Sequence, residues 1–263
     1  MYKRQTSSNV ALAVSEWLGL LNPMVLPSTD GGATWSYASP VVLPFDYATA
    51  LHWDGNGDRF LALGARNTGD LPSREMCLIS AAASDLTTWS SLQRFSDRSP
   101  HSSGSPSLAV DPAHGNRVAA AWRGYDDPGY FAYFDAEWRA DPGQPKYEDG
   151  FPLAIPNGAT VGGRTPPALA DVDDDPELEI VFANQDGDVY VVQHDGTVYA
   201  PWPRNVSGVP AKGMVAVGDL NGDGKKVIAV GTTDGQVHCF TGYGQDVDGF
   251  PVDLGTGAAT YLC

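Results

Sequence analysis

A chain of 263 residues with a formal net charge of −16 is long enough for one sizeable core, and its charge makes nucleic acid an unfavourable partner, because phosphate binding needs a basic surface. Thirty glycines, twenty prolines and seven tryptophans, with short apolar runs between turn signals, favour many short strands over long helices. Three cysteines can form at most one bridge and include no CxxC pair for zinc, and no apolar run approaches the roughly 20 residues that cross a membrane, so no membrane insertion is expected.

In chain order, Lys3 and Arg4 imitate the basic start of a signal peptide, but Glu16 and the turn Asn22-Pro23 interrupt the stretch after them. Val10, Leu12 and Val14 alternate, so the stretch from Ala11 to Leu21 opens as a strand and continues as a loop. Next comes Ser28-Thr-Asp-Gly-Gly-Ala-Thr-Trp35, with a shortened copy at Ser84-Asp85-Leu-Thr-Thr-Trp89, so that Asp30 and Asp85 stand 55 residues apart. Between them lies an acidic turn, Asp54-Gly-Asn-Gly-Asp58, with Ala62 at its ninth position. Pro106–Asp111 and Asn116–Trp122 read as two strands joined by a turn, and Tyr130–Trp138 as a third.

The C-terminal part contains a repeat. Pro167–Val181 returns as Val215–Ala229, and Asp171 to Asp219, Asp186-Gly187 to Asp234-Gly235, and Trp202-Pro203 to Phe250-Pro251 all keep a spacing of 48. An ungapped repeat of this length is one supersecondary unit built twice, as in stacked or radial folds. The chain then divides into five units, over about 9–45, 46–100, 105–156, 160–208 and 212–258. The chain stops where a third copy would start, which leaves two expectations: a piece of a longer protein, or a last unit closed by an N-terminal strand. Charge is uneven too: residues 1–140 hold 14 acidic and 10 basic side chains (net −4), and residues 141–263 hold 18 and 6 (net −12). Bound cations would offset that excess.

Each repeat carries a loop suited to calcium, which takes six to eight oxygens at about 2.3–2.6 Å. In the first, Asp171, Asp173 and Asp175 occupy positions 1, 3 and 5, Glu177 at position 7 can offer its carbonyl, and Glu179 at position 9 can close the shell. That glutamate comes too early for an EF-hand, and Ile180-Val-Phe182 after it is strand-like. The second set is Asp219, Asn221 and Asp223 with Lys225 at position 7, but Val227 stands where Glu179 stood, so calcium should bind it weakly or not at all. For all three acidic turns the alternative is a polar hairpin whose carboxylates cap backbone amides.

These motifs resemble known families. Ala170–Val181, Asp186–Tyr190 and Gly249-Phe-Pro251 are similar to the FG-GAP/VCBS repeats, β-propeller units found in integrin α-chains and secreted bacterial proteins; Pro176 departs from that pattern, where glycine is usual. Ser28–Trp35 resembles the Asp-box of sialidase-type propellers, a turn in which the Asp ties down amides and the Trp packs between strands. The resemblances imply an all-β propeller of about five blades: residues 1–156 as sialidase-like Asp-box blades and 157–263 as FG-GAP/VCBS blades of the same propeller. They also imply bound Ca2+ at an extracellular or cell-surface location, and an unidentified protein or glycan ligand.

A sialidase-like hydrolase is the competing reading. It would draw on Arg66, Arg98, Arg123 and Tyr130, but the family's Arg-Ile-Pro segment is absent and nothing orders these residues into a site. No Gly-x-Ser-x-Gly occurs, and His52, His101, His114, His194 and His238 show no metal-ligand spacing. The expectation is therefore a non-catalytic binding or scaffold module. Trp17, Trp53, Trp122 and Trp138 stand as candidates to stack on sugars in a lectin variant, against a role in the core between blades.

Overall fold

The computed structural model describes residues 10–14, 23–35, 40–54, 58–67, 74–94, 104–110, 117–123, 130–137, 153–154, 167–184, 186–207 and 215–255. They form five antiparallel sheets, with no helix among the described residues. Sheet one holds β1 (Val10–Val14), β2 (Met24–Ser28) and β3 (Val41–Val42). Sheet two holds β4 (Tyr47–Asp54), β5 (Arg59–Asn67), β6 (Arg74–Ala82) and β7 (Gln93–Arg94). Sheet three holds β8 (Gly104–Val110), β9 (Arg117–Arg123), β10 (Tyr130–Glu137) and β11 (Leu153–Ala154). Sheet four holds β12 (Ala168–Ala170), β13 (Glu179–Ala183), β14 (Asp188–Val192) and β15 (Arg204–Asn205). Sheet five holds β16 (Ala216–Gly218), β17 (Val227–Gly231), β18 (Gln236–Thr241) and β19 (Val252–Asp253).

In every sheet the strands follow one another in chain order, so each is a meander made from one local segment. Among the described residues, sheet five takes its four strands from 216–253. The first strands of sheets two to five lie side by side, β4 against β8, β8 against β12, and β12 against β16. That is the inner rim of a radial array.

Strand alternation explains why the sheets stack. Side chains point to opposite faces with period 2, and on β5 Phe60 and Ala62 pack with Val25 and Leu43 of the preceding unit. Leu61, Leu63 and Ala65 of the same strand face the other way, against Leu108, Val118, Ala120 and Trp122 of sheet three. The pattern then repeats: Ala119 and Ala121 meet Ile180 and Phe182, and Val181 and Val191 meet Ile228 and Val230. A strand buried on both faces reads as a continuous apolar run, as Phe60–Leu63 does. Each large apolar side chain so buried contributes roughly 1.5–3 kcal/mol. Cys77 and Cys239 are buried free thiols within this packing, and Cys263 lies outside the described residues.

Candidate metal site

The connection between the first and second strands of a sheet places acidic residues at the same end of sheets two, four and five. In sheet four, Asp171 follows β12 and Glu179 opens β13, so the hairpin folds the ends of the nine-residue motif together. Asp171, Asp173 and Glu179 each bring one carboxylate oxygen within 4.8 Å of the others, the sole such group of three or more acidic, His or Cys side chains among the described residues. Asp171 accepts from the Asp174 amide at 2.9 Å, and Gln193 Nε2 lies 3.4 Å from Asp173 Oδ2.

Glu179 is the unusual member. It is 0 % exposed; one oxygen accepts the Val172 amide at 2.8 Å, and the other, Oε1, is buried with no hydrogen-bond partner. Burial, reinforced by the charges of Asp173, Asp175 and Asp171, pushes its carboxyl up to about 8. Asp171 is raised as well, first by burial and then by its acidic neighbours. An unpartnered buried carboxylate oxygen is costly, and a carboxyl gathered with two further carboxylates has a deficit that a cation fits.

The loop is held from sheet five. Tyr243 donates its hydroxyl to the Asp173 carbonyl at 3.2 Å, and a Cβ on Gly242 would sit 1.7 Å from the Val172 carbonyl oxygen, so only glycine permits that approach. Trp202 fixes the same turn by donating Nε1–H to the Gly242 carbonyl at 2.9 Å.

Asp175 and Glu177 lie outside the close group. Asp175 Oδ1 accepts the Glu177 amide at 2.8 Å, an Asx-type turn. The missing glycine at position 6 is accommodated because the left-handed residue of this loop is Asp174, with φ 66°, two residues before Pro176.

The second loop is organised differently. Gly222 and Gly224 both have positive φ, and the turn wraps around Asp219, whose oxygens accept the amides of Asn221, Gly222 and Gly224 at 3.2, 2.7 and 2.8 Å. Asn221 donates Nδ2–H to Asp223 at 3.0 Å, and Asp223 accepts the Lys225 amide at 2.8 Å. These amide bonds hold the Asp219 carboxyl below its ordinary range, the reverse of Glu179. In sheet two a third solution appears: Asp54, 1 % exposed, accepts Arg59 Nε at 2.8 Å, so a guanidinium stands beside the carboxylate.

The turns after β2 and β6 carry the other expected motif. After β2, Asp30 accepts the Thr34 amide at 2.8 Å and the Thr34 hydroxyl at 2.6 Å, while Ser28 donates to it at 2.8 Å. After β6, Asp85 takes the Thr87 amide and hydroxyl at 2.9 and 2.6 Å. Hydrogen bonds from those threonines hold both carboxyls down to about 2. Asp195 and Thr197 repeat the device after β14, at 2.9 and 2.7 Å, in a turn whose Asp-Gly-Thr spelling was the available signal.

The residues considered for hydrolysis are not brought into a described site. Arg66 is exposed on β5, Arg98 lies outside the described residues, and Arg123 and Tyr130 sit on β9 and β10 with side chains outside them. His238 stacks on Phe240 at 6.2 Å between ring centroids, and burial lowers its pKa. His101 and His114 lie outside the described residues. Trp53 and Trp122 belong to the core and are closed to sugars, whereas Trp17 and Trp138 fall outside the described residues.

This chain is an all-β repeat propeller. Residues 171–230, which contain both candidate loops, match the FG-GAP-like repeat family. Among solved structures, the BP39L lectin from Burkholderia pseudomallei superposes with a TM-score of 0.69 at 13% identity, over 97% of this chain and 70% of that one. Raptor from Chaetomium thermophilum gives 0.51 at 14% identity, over 91% of this chain and 19% of that one. BamB from Moraxella catarrhalis gives 0.50 at 14% identity, over 97% of this chain and 61% of that one. At such identities the likeness speaks for the fold alone. None of the curated proteins matches this chain.

Proposed function

We propose that the chain is a non-catalytic, calcium-stabilised binding or scaffold module that works outside the cell or at its surface, with a glycan or a protein as its ligand. The observation that carries this reading is the orphaned Oε1 of the fully buried Glu179, whose carboxyl gathers with those of Asp171 and Asp173. Those three carboxylates would hold the ion, and calcium suits an all-oxygen site better than magnesium, which demands near-octahedral geometry and dehydrates reluctantly. The ion would neutralise the loop and join its two ends; it supplies no chemistry beyond that.

Sites of this kind in extracellular modules have affinities on the order of 10⁻⁴ to 10⁻³ M, filled outside cells and empty in the cytosol. That range supports the location, as does the FG-GAP-like match. Among the described residues no helix is long and apolar enough to cross a membrane. The rigid face of a radial array supports a binding role, and the charge of −16 argues against nucleic acid.

Thermal unfolding with and without calcium tests the proposal. A hundredfold excess over Kd stabilises by about 2.7 kcal/mol, or about 5–10 °C in a chain of this size. A melting temperature indifferent to calcium up to about 10 mM, well above the expected Kd, contradicts it. Hydrolysis of simple aryl-glycosides or aryl-sialosides by the isolated chain would instead favour the enzyme reading.

A further inference from the structure

The turns after β2 and β6 enclose a cleft of about 310 Å³, at the lower end of the roughly 300–1,000 Å³ typical of small-molecule sites. It lies between sheets one and two, away from the metal loop of sheet four. Its lining includes Trp35 and the hydroxyl-bearing Ser28, Thr34, Ser84 and Thr87, with Asp85 beside them. Among the described residues that line it, none is Arg, Lys or His.

The two tryptophans of these turns are used differently. Trp89, which ends the second turn, packs against the core cluster of sheets one and two and donates Nε1–H to the Leu86 carbonyl at 3.1 Å. Trp35, which ends the first, is half-buried and lines the cleft. Equivalent positions thus give one structural indole and one that offers apolar surface to a ligand.

The hydroxyls are oriented as well. Thr34 and Thr87 donate to Asp30 and Asp85, which leaves their oxygens as acceptors, whereas the buried Ser28, which donates to Asp30, already accepts the Gly32 amide at 2.9 Å. An aromatic surface ringed by fixed acceptors suits a ligand with an apolar C–H face and a rim of hydroxyl donors. Carboxylates without a cation repel an acidic one.

We propose that this cleft is a binding site for a neutral saccharide ring, stacked on Trp35 and hydrogen-bonded by the threonine hydroxyls of the two turns. The assignment rests on the reading of the chain as a binding module, and it gives that module a ligand class and a place.

The test titrates the full chain by saturation-transfer NMR and tryptophan fluorescence with methyl mannoside, methyl galactoside and N-acetylglucosamine, and with glucuronate and N-acetylneuraminate as acidic probes. At least one neutral probe should bind with a millimolar Kd, and the acidic probes at least about tenfold more weakly. Trp35→Ala should weaken the neutral probe about tenfold, Trp35→Phe by no more than about threefold, and Ser84→Trp, which fills the cleft from an exposed position, should abolish binding. Each variant is first shown to keep the melting temperature of the wild type under the same conditions; if Trp35→Ala does not, Ser84→Trp and Trp35→Phe decide. No neutral binding up to about 50 mM, equal binding by wild type and Ser84→Trp, or preference for an acidic probe overturns the assignment. Calcium stabilisation without sugar binding removes the cleft and leaves the calcium reading; sugar binding through Trp35 without calcium stabilisation does the reverse.

Discussion

The loops at 171–179 and 219–227 share a spacing, a hairpin and a place in their sheets, yet they solve opposite electrostatic problems. In the second, glycines at positions 4 and 6 curl the backbone so that its own amides neutralise Asp219, and the loop is complete as a turn. In the first, Asp174 and Pro176 occupy those positions, and Glu179 is drawn fully inside with one oxygen unanswered. Asp54 beside Arg59 makes a third case, in which a side-chain cation does the neutralising. A carboxylate at the strand 1–2 turn must be answered by something, and the residue at position 9 decides whether the answer comes from within the protein.

The largest effect should come from the first loop. Asp173→Ala is expected to remove most of the calcium-induced rise in melting temperature, and Glu179→Gln all of it. Glu179→Gln should also make the metal-free protein more stable than wild type at pH 8, because a neutral amide keeps the acceptor for the Val172 amide without a buried charge. Scanning calorimetry with and without calcium reads both changes. A metal-free Glu179→Gln protein less stable than wild type at pH 8 would mean that Glu179 serves packing alone.

The pH dependence is the next largest effect. With its folded-state carboxyl raised to about 8 against an ordinary 4.5, Glu179 holds its proton more tightly when folded than when unfolded. Its contribution to metal-free stability is therefore fully present below about pH 4.5 and lost as pH rises through about 8. Asp30 and Asp85, held down to about 2, act in the other direction: their contribution is present above their ordinary 3.8 and is lost as pH falls through about 2. Metal-free melting temperatures measured from pH 5 to 8 should fall for wild type and stay nearly level for Glu179→Gln.

A smaller change should convert the second loop toward the first. Val227→Glu supplies the missing carboxylate, but Asp219 is already held by three amides and must release some of them. The added calcium should bind about tenfold more weakly than the one at Glu179, since each lost net hydrogen bond costs about 1 kcal/mol. Titration calorimetry showing two equal sites would erase the distinction between the loops. Smallest is Tyr243→Phe, which removes the hydroxyl from the Asp173 carbonyl and should weaken calcium by about two- to threefold.

Much of this was legible in the sequence because it is local. The 48-residue spacing, the Asp-Gly turns at 186–187 and 234–235 and the alternating apolar runs place the strands of sheets four and five directly, and the 55-residue spacing does the same for sheets one and two. Asp171, Asp173 and Glu179 were readable as a set for the same reason. The full burial of Glu179 was not, because it depends on the turn at Gly242 and Tyr243, some 70 residues later, pressing on the loop. Nor could spacing alone show that Asp175 serves the Glu177 amide. The tryptophans show the same limit: Trp53 and Trp122 are core residues, and Trp35, assigned to packing by resemblance, lines a cleft formed by two turns distant in sequence.

Titration calorimetry of calcium into the wild-type chain at pH 6, repeated in buffers of different ionisation enthalpy, addresses the central claim most directly, because it counts ions and protons together. One calcium per chain should bind with release of close to one proton, the one that Glu179 holds below about pH 8. In Glu179→Gln the high-affinity heat and the released proton should disappear together. No binding up to about 10 mM, well above the expected Kd, or binding without proton release and unchanged in Glu179→Gln, would contradict the assignment of the buried carboxylate as the ligand that distinguishes this loop.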